Sequence, residues 1–353
     1  MIESQLDESK KKWEGIFILL LFLLILFFFL SLTLGSVKIP FAFIVEYFTG
    51  QANNTVWINI VENFRLPKAI TAILAGSALA ISGLQMQTLF RNPLAGPFIL
   101  GISSGAGLGV ALVIFLGTWI GGFVALSGIG RSWLLVGASA LGSFAVLSIV
   151  LMASFRIRSG ISLLIIGLMF GSAVSSLVSI LQYFSQAENI QAYVIWSFGS
   201  LGSLSWTELK VLVPIICGSL VLSVLLSKQL NALLLGEEYA ESMGLNLKQA
   251  RMLIIVNTSL LAGTITAFCG PIAFIGLAIP HIARMLFNTG NHLLLTPLVI
   301  LTGGIALLLF DIIAQLPGQQ ETLPINAVTS LFGAPFVIWL ILKRSNLNYS
   351  FGK

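Results

Sequence analysis

The sequence predicts an all-α integral membrane protein of about ten transmembrane helices, with both termini in the cytoplasm. Three observations carry this. Of 353 residues, 57% are hydrophobic and only 9% are charged, whereas soluble domains run about 45–50% apolar and about 25% charged. Apolar runs close to the ~20 residues that span a bilayer recur along the whole chain. With the N-terminus placed inside and the spans alternating, thirteen of the eighteen Lys and Arg residues fall on the cytoplasmic side, as the positive-inside rule requires.

Residues 1–14 read as a charged cytoplasmic tail ahead of the first span, 15–35. A secretory leader has an apolar core of about 7–15 residues that ends at a small-residue cleavage site. This run is longer and no Ala-x-Ala follows it, so it is expected to be retained as a span. Charges, prolines and glycine clusters cut the remaining spans at 66–90, 98–117, 132–155, 160–184, 206–227, 249–269, 274–289, 294–315 and 325–342, the eighth being the shortest. Residues 15–344 then form one membrane domain, and 345–353 a second cytoplasmic tail. Ten spans divide five and five, so any internal repeat would be inverted, although no strong internal match is visible. The outer loop 185–205 is long enough for a short re-entrant or surface helix, with Trp196 and Phe198 as interfacial anchors.

Between the second and third spans the chain interrupts itself. The stretch LQMQTLFRNPLAGPFILGISSGAGLG, residues 84–109, breaks the helix at Arg91-Asn92-Pro93 and again at Gly96-Pro97. Irregular backbone at membrane depth survives only against protein or a watery cavity. The stretch is therefore a tight cytoplasmic turn, a cavity lining, or both. Gly101, Gly105 and Gly109 follow at four-residue steps, which puts three bare patches on one helix face for close packing.

Several chemistries are disfavoured. Gly101-Ile-Ser103-Ser-Gly105 fits G-x-S-x-G, but that elbow needs a strand-to-helix turn with His and acid partners, and the chain has only His281 and His292. No G-x-x-x-x-G-K-[ST] loop occurs, so no nucleotide is expected to bind here through a P-loop. Cys217 and Cys269 lie far apart in apolar segments and read as small core hydrophobes rather than metal ligands. His281 reads as a structural histidine. No catalytic residue, metal or cofactor is expected. The net charge of +5 is modest and includes no basic tract suited to nucleic acid.

The most polar interior loop, GEEYAESMGLNLKQAR at 236–251, has the grammar of a short helix. Glu237 and Glu238 suit a first turn, Tyr239, Ala240 and Met243 recur at helical spacing, and Gly244 suits the stop after Gly236. Asn246 with Gln249 then resembles a capping box opening the seventh span. Such an element either docks in a groove of a cytoplasmic partner or rests on the membrane surface. Asp311 is the one acid well inside an apolar span, and intramembrane acids are either functional or paired within the bundle. An ion-gradient transporter, the rival class, usually needs such groups to carry its coupling ion, and only Asp311 qualifies.

Taken together, RLPK (65–68), GSALAISGLQMQTLFRNPLAGPFILGISSGAG (76–107), GEEYAESMGLN (236–246), GPIAFIGLAIPHIARML (270–286) and the run from 323 to 342 resemble the permease subunits of ABC importers for iron-siderophores, haem and cobalamin, the FecCD-type family. The resemblance implies a ten-helix permease of the cell membrane, surrounded by lipid and paired with a second permease subunit as a homo- or heterodimer. It also implies two cytoplasmic ATPase subunits and an extracytoplasmic substrate-binding protein. Gly236, Glu237, Glu238, Tyr239, Ala240, Met243 and Gly244 then match the coupling element to the ATPases. Arg65 and Lys68 match docking cations for the binding protein, with interfacial snorkelling as the plain alternative. Gln85, Gln87, Asn92, Ser103 and Ser104 become candidates for lining the pathway. Gln315 stands where family members often carry Arg, so a third basic contact is missing.

Overall fold

The computed structural model describes residues 2–117, 129–156, 160–315 and 322–344, and every regular element among them is helical. Helix α1 (Ile2–Thr33) runs unbroken through the boundary expected at residue 14, so the charged tail continues the helix of the first span. Two short helices follow, α2 (Phe41–Phe48) and α3 (Thr55–Ile60). The second starts where the Asn54 side chain accepts the Val56 and Trp57 amides, each at 3.1 Å. Through a π turn at Val61–Arg65, α3 continues into α4 (Leu66–Leu89), giving one apolar helix of 35 residues where the sequence suggests a span starting at 66. The wide turn falls just before Pro67, whose ring has no amide hydrogen for a continuous ladder.

The remaining helices are α5 (Ile102–Ala111), α6 (Ile129–Arg156), α7 (Gly160–Tyr183), α8 (Ala187–Ser197), α9 (Trp206–Leu225), α10 (Ser227–Leu234), α11 (Glu237–Ser242), α12 (Leu247–Cys269), α13 (Ile275–Phe287), α14 (His292–Ala314) and α15 (Ile325–Arg344). Among the described residues, seven helices are long and apolar enough to cross a membrane. Two more apolar helices, Ile102–Leu116 and Ile275–Phe287, fall on the third and eighth expected spans but are shorter, while α15 covers the tenth. The causes are local for both. A 3-10 turn at Pro97–Leu100 and left-handed Gly101 (φ +74) delay α5. Left-handed Phe274 (φ +65) and Asn288 (φ +46) bound α13 at both ends. The C-terminal tail expected at 345–353 lies outside the described residues.

Helix α4 is the axis of the bundle, buried without interruption from Ala75 to Leu89. Its glycines set the packing. A Cβ on Gly76 would fall on the Gly303 carbonyl of α14, and one on Gly83 on the Gly276 carbonyl of α13. Lipid supplies no hydrophobic force between helices, so such backbone contact is what dispersion and close packing require. The same logic joins α5 to α6, where Gly105 meets Gly142 and Gly109 meets the Ala138 carbonyl. Gly101 is the left-handed residue that starts the helix, and a Cβ there would stand 3.2 Å from Val146 of α6. The cysteines also divide. Cys269 is buried, but Cys217 is exposed on α9, which corrects its reading as a core residue.

Candidate functional site

The segment 236–246 folds as its residue types dictate. Gly236 enters at φ +114, a conformation that strains any side chain. Glu237 and Glu238 occupy the first turn of α11, at the positive end of its dipole. The exit is a Schellman closure, in which Leu245 N–H donates to the Ala240 carbonyl at 3.0 Å and Gly244 N–H to that of Glu241 at 2.9 Å. Asn246 then caps α12 by accepting the Gln249 amide at 3.1 Å.

One feature of the face differs from the sequence reading. Ala240 is fully buried, whereas Tyr239 and Met243, one turn apart, are 54% and 62% exposed. The reason lies in how the helix is held. An ion pair joins Glu237 to Arg251 of α12, and Leu245 packs on the buried group of Leu230, Leu233 and Ile254. Those ties turn the Ala240 side inward and leave Tyr239 and Met243 as an outward apolar pair.

The break after α4 lies against this element. Arg91 adopts φ +48, and its Nη1 would stand 3.8 Å from a Cβ on Gly236. The Asn92 carboxamide accepts the Leu94 amide at 2.9 Å and the Pro93 carbonyl faces His281 Nε2 at 2.6 Å, so the stretch is a tight turn bonded to α13. His281 thus has the structural role expected of it.

The expected pathway residues separate. Gln85 and Gln87 are 0% and 1% exposed, inside the helix bundle of this chain. Their amides tie helices together. Gln85 Nε2 donates to Ser223 Oγ at 3.0 Å and Gln85 Oε1 accepts from Thr258 Oγ1 at 2.8 Å, while Gln87 Nε2 donates to the Leu277 carbonyl at 3.1 Å. Asn92, Ser103 and Ser104 are half-buried. A row of exposed hydroxyls lies on α7, where Ser172, Ser175, Ser176 and Ser179 share one face. Their i, i+3, i+4, i+7 spacing is plain in the sequence. In the loop after α7, α8 supplies the short helix expected there. Its Trp196 is half-buried beside Tyr193, with ring centres 5.9 Å apart, and Phe198 is exposed.

At the opposite end of α4 both expected docking cations are engaged internally. Arg65 is 8% exposed, and its guanidinium donates to the carbonyls of Leu32, Leu34 and Val37. Lys68 pairs with Asp311 of α14, and Gln315 Nε2 donates to the other carboxylate oxygen at 2.8 Å. Gln315 thus has work of its own inside the bundle. Among the described residues no three His, Cys, Asp or Glu side chains gather into a metal-binding group.

A glycine-packed bundle of apolar helices, with a short helix in a polar loop that exposes Tyr239 and Met243, defines a multi-pass membrane protein. The chain belongs to the FecCD transport family, which matches residues 23–343. It is 36% identical over 315 residues to the hemin transport system permease protein HmuU of Yersinia pestis, covering 89% of this chain and 91% of that one. It is also 36% identical over 301 residues to the vitamin B12 import system permease protein BtuC of Klebsiella pneumoniae, covering 84% and 85%. The fold superposes on an inward-facing metal-chelate type ABC transporter with a TM-score of 0.81 and 32% identity, over 94% of this chain and 99% of that one. The protein is therefore the permease of an ABC importer, embedded in the cell membrane.

Proposed function

We propose that this permease is one of two membrane subunits around a central pathway, each with ten spans and cytoplasmic termini. Two separate ATPase subunits drive it and an extracytoplasmic binding protein feeds it. The observation that carries the reading is the Tyr239–Met243 pair, an exposed apolar plug on a helix closed by a Schellman turn and pinned to α12. A bare connection between two spans needs no such construction, and an apolar face of this size fits a groove in a partner.

The substrate class is a metal chelate, a ferric siderophore or a relative such as haem or cobalamin. Support comes from the haem and vitamin B12 permeases among its relatives and from the metal-chelate transporter that shares its fold. The permease performs no bond chemistry. Nucleotide-dependent contacts at α11 shift the bundle between outward- and inward-facing states, and the energy is the difference in those contacts between the two states. The serine face of α7 is the surface most suited to a watery path, being the exposed hydroxyl row of a spanning helix. Binding-protein docking rests on Lys68 rather than Arg65, since Lys68 keeps 21% of its side chain exposed.

The test is a cross-link. Tyr239→Cys in the reconstituted complex is expected to cross-link to the ATPase subunit in a nucleotide-dependent way. Segment 236–246 open to water-soluble thiol reagents in every nucleotide state, with no cross-link formed, overturns the reading.

A further inference from the structure

Four helices meet at the buried ring of His292, at the same end of the bundle as α11. Its Nε2 lies 2.9 Å from Thr88 Oγ1, at the end of α4. Its Nδ1 lies 2.9 Å from Asn231 Oδ1 on α10, and the same oxygen accepts the His292 backbone N–H at 2.8 Å. Asn231 Nδ2 donates to Asn291 Oδ1 at 2.8 Å, and Arg284 of α13 donates to Thr88 Oγ1 at 3.2 Å. His292 and Thr88 are 0% and 1% exposed.

The chemistry assigns the hydrogens. An amide oxygen only accepts, so Nδ1 carries the ring hydrogen and Nε2 takes the Thr88 hydroxyl hydrogen. That hydroxyl also faces the Leu84 carbonyl at 2.9 Å. One hydrogen therefore serves two acceptors, and rotation of a single hydroxyl makes or releases the bond between Thr88 and the His292 ring. Asn231 fixes the other side of the ring, because its oxygen holds both the side chain and the backbone of His292.

The placement gives this cluster its use. Helix α10 runs directly into Gly236 and α11, so a push on α11 moves Asn231 first. Helix α4 ends beside Thr88, and its glycines lock it to α13 and α14, so it moves as one body. We infer that Asn231, His292 and Thr88 are positioning residues that carry the displacement of α11 into α4. The inference rests on the coupling reading of α11 given above. Satisfied polar contacts in a water-free interior are short and directional, so they transmit displacement where apolar side chains would slide. The Glu237–Arg251 pair offers a second route, into α12, but Glu237 keeps 36% of its side chain exposed and the pair is correspondingly screened.

Hydrogen exchange on the assembled permease–ATPase complex tests this without a transported ligand. In the wild type, amides 237–243 and amides 86–92 are both expected to change protection between ADP and a non-hydrolysable ATP analogue. In Asn231→Leu, 237–243 should keep their response while that of 86–92 falls at least about fivefold. Thr88→Ser, which keeps the hydroxyl, should respond as the wild type does. A joint that only holds structure would loosen 86–92 equally in both nucleotide states of Asn231→Leu, and that result overturns the inference. So does a wild type in which 237–243 respond and 86–92 do not, a comparison that needs no variant to fold. A wild type in which 237–243 themselves stay silent overturns the coupling reading as well, and so is distinguishable.

Discussion

Lys68 Nζ lies 2.9 Å from Asp311 Oδ1, joining the start of α4 to the far end of α14. The carboxylate is 5% exposed and its second oxygen takes the Gln315 amide. The acid within the apolar span is therefore neutralised by a neighbour and bonded on both oxygens. An ion-coupled transporter would need that group free to exchange its ion, so the geometry removes the main support for the rival class.

A double-mutant cycle measures the pair. Asp311→Leu strands the Lys68 ammonium in a mostly buried place and is expected to destabilise the protein by about 3 kcal/mol. Adding Lys68→Met should recover most of that loss. Thermal unfolding in detergent reads both, and simple additivity of the two single losses would show that the pair is not coupled.

Charge at the same end also bears on docking. Lys68→Glu, made together with Asp311→Asn so that two carboxylates do not meet in a mostly buried place, is expected to weaken binding-protein association most at low ionic strength, where screening is least. Arg65→Glu should instead impair folding, because three carbonyls lose their donor. Equilibrium binding across a salt series, with size-exclusion profiles of each variant, separates the two outcomes.

Ala240 N–H donates to the Gly236 carbonyl at 2.9 Å. Ala240→Pro removes that bond and crowds a buried position. The variant should still insert and assemble, with ATP hydrolysis retained and uptake of haem or cobalamin probes reduced more than about tenfold. Uptake and hydrolysis measured on the same vesicles report the ratio directly.

Gly83→Val places a side chain on the Gly276 carbonyl and pushes α4 from α13. A loss of about 3 kcal/mol is expected, seen as a lower unfolding temperature and poor recovery of monodisperse protein. Gly218→Ala, with open space around its Cβ position, should be close to neutral.

Burial raises the phenol of Tyr193, in α8, above its ordinary value of 10.0. A raised folded value means that the protonated form is favoured in the native state, so this contribution is whole below about pH 10 and fades as pH climbs through the folded value. Tyr193→Phe should flatten the alkaline fall of the unfolding temperature, and an unchanged profile would count against burial of the hydroxyl.

Much was legible from residue order alone. Hydropathy placed the seven helices that, among the described residues, are long and apolar enough to cross a membrane, because each bilayer-length helix satisfies its own backbone and needs no distant partner to be recognised. Local capping chemistry placed α11 and the start of α12, since Gly244 and Asn246 act within a few residues of themselves. Tertiary structure alone decided which side of α11 faces outward, because Arg251 lies fourteen residues from Glu237 and orients the helix from another element. It also decided that Gln85 binds Ser223 and Thr258, and that Lys68 answers Asp311 across more than two hundred residues. Pairings of that kind depend on which helix faces meet, and in lipid that is set by shape and small-residue contact, which hydrophobic periodicity does not encode.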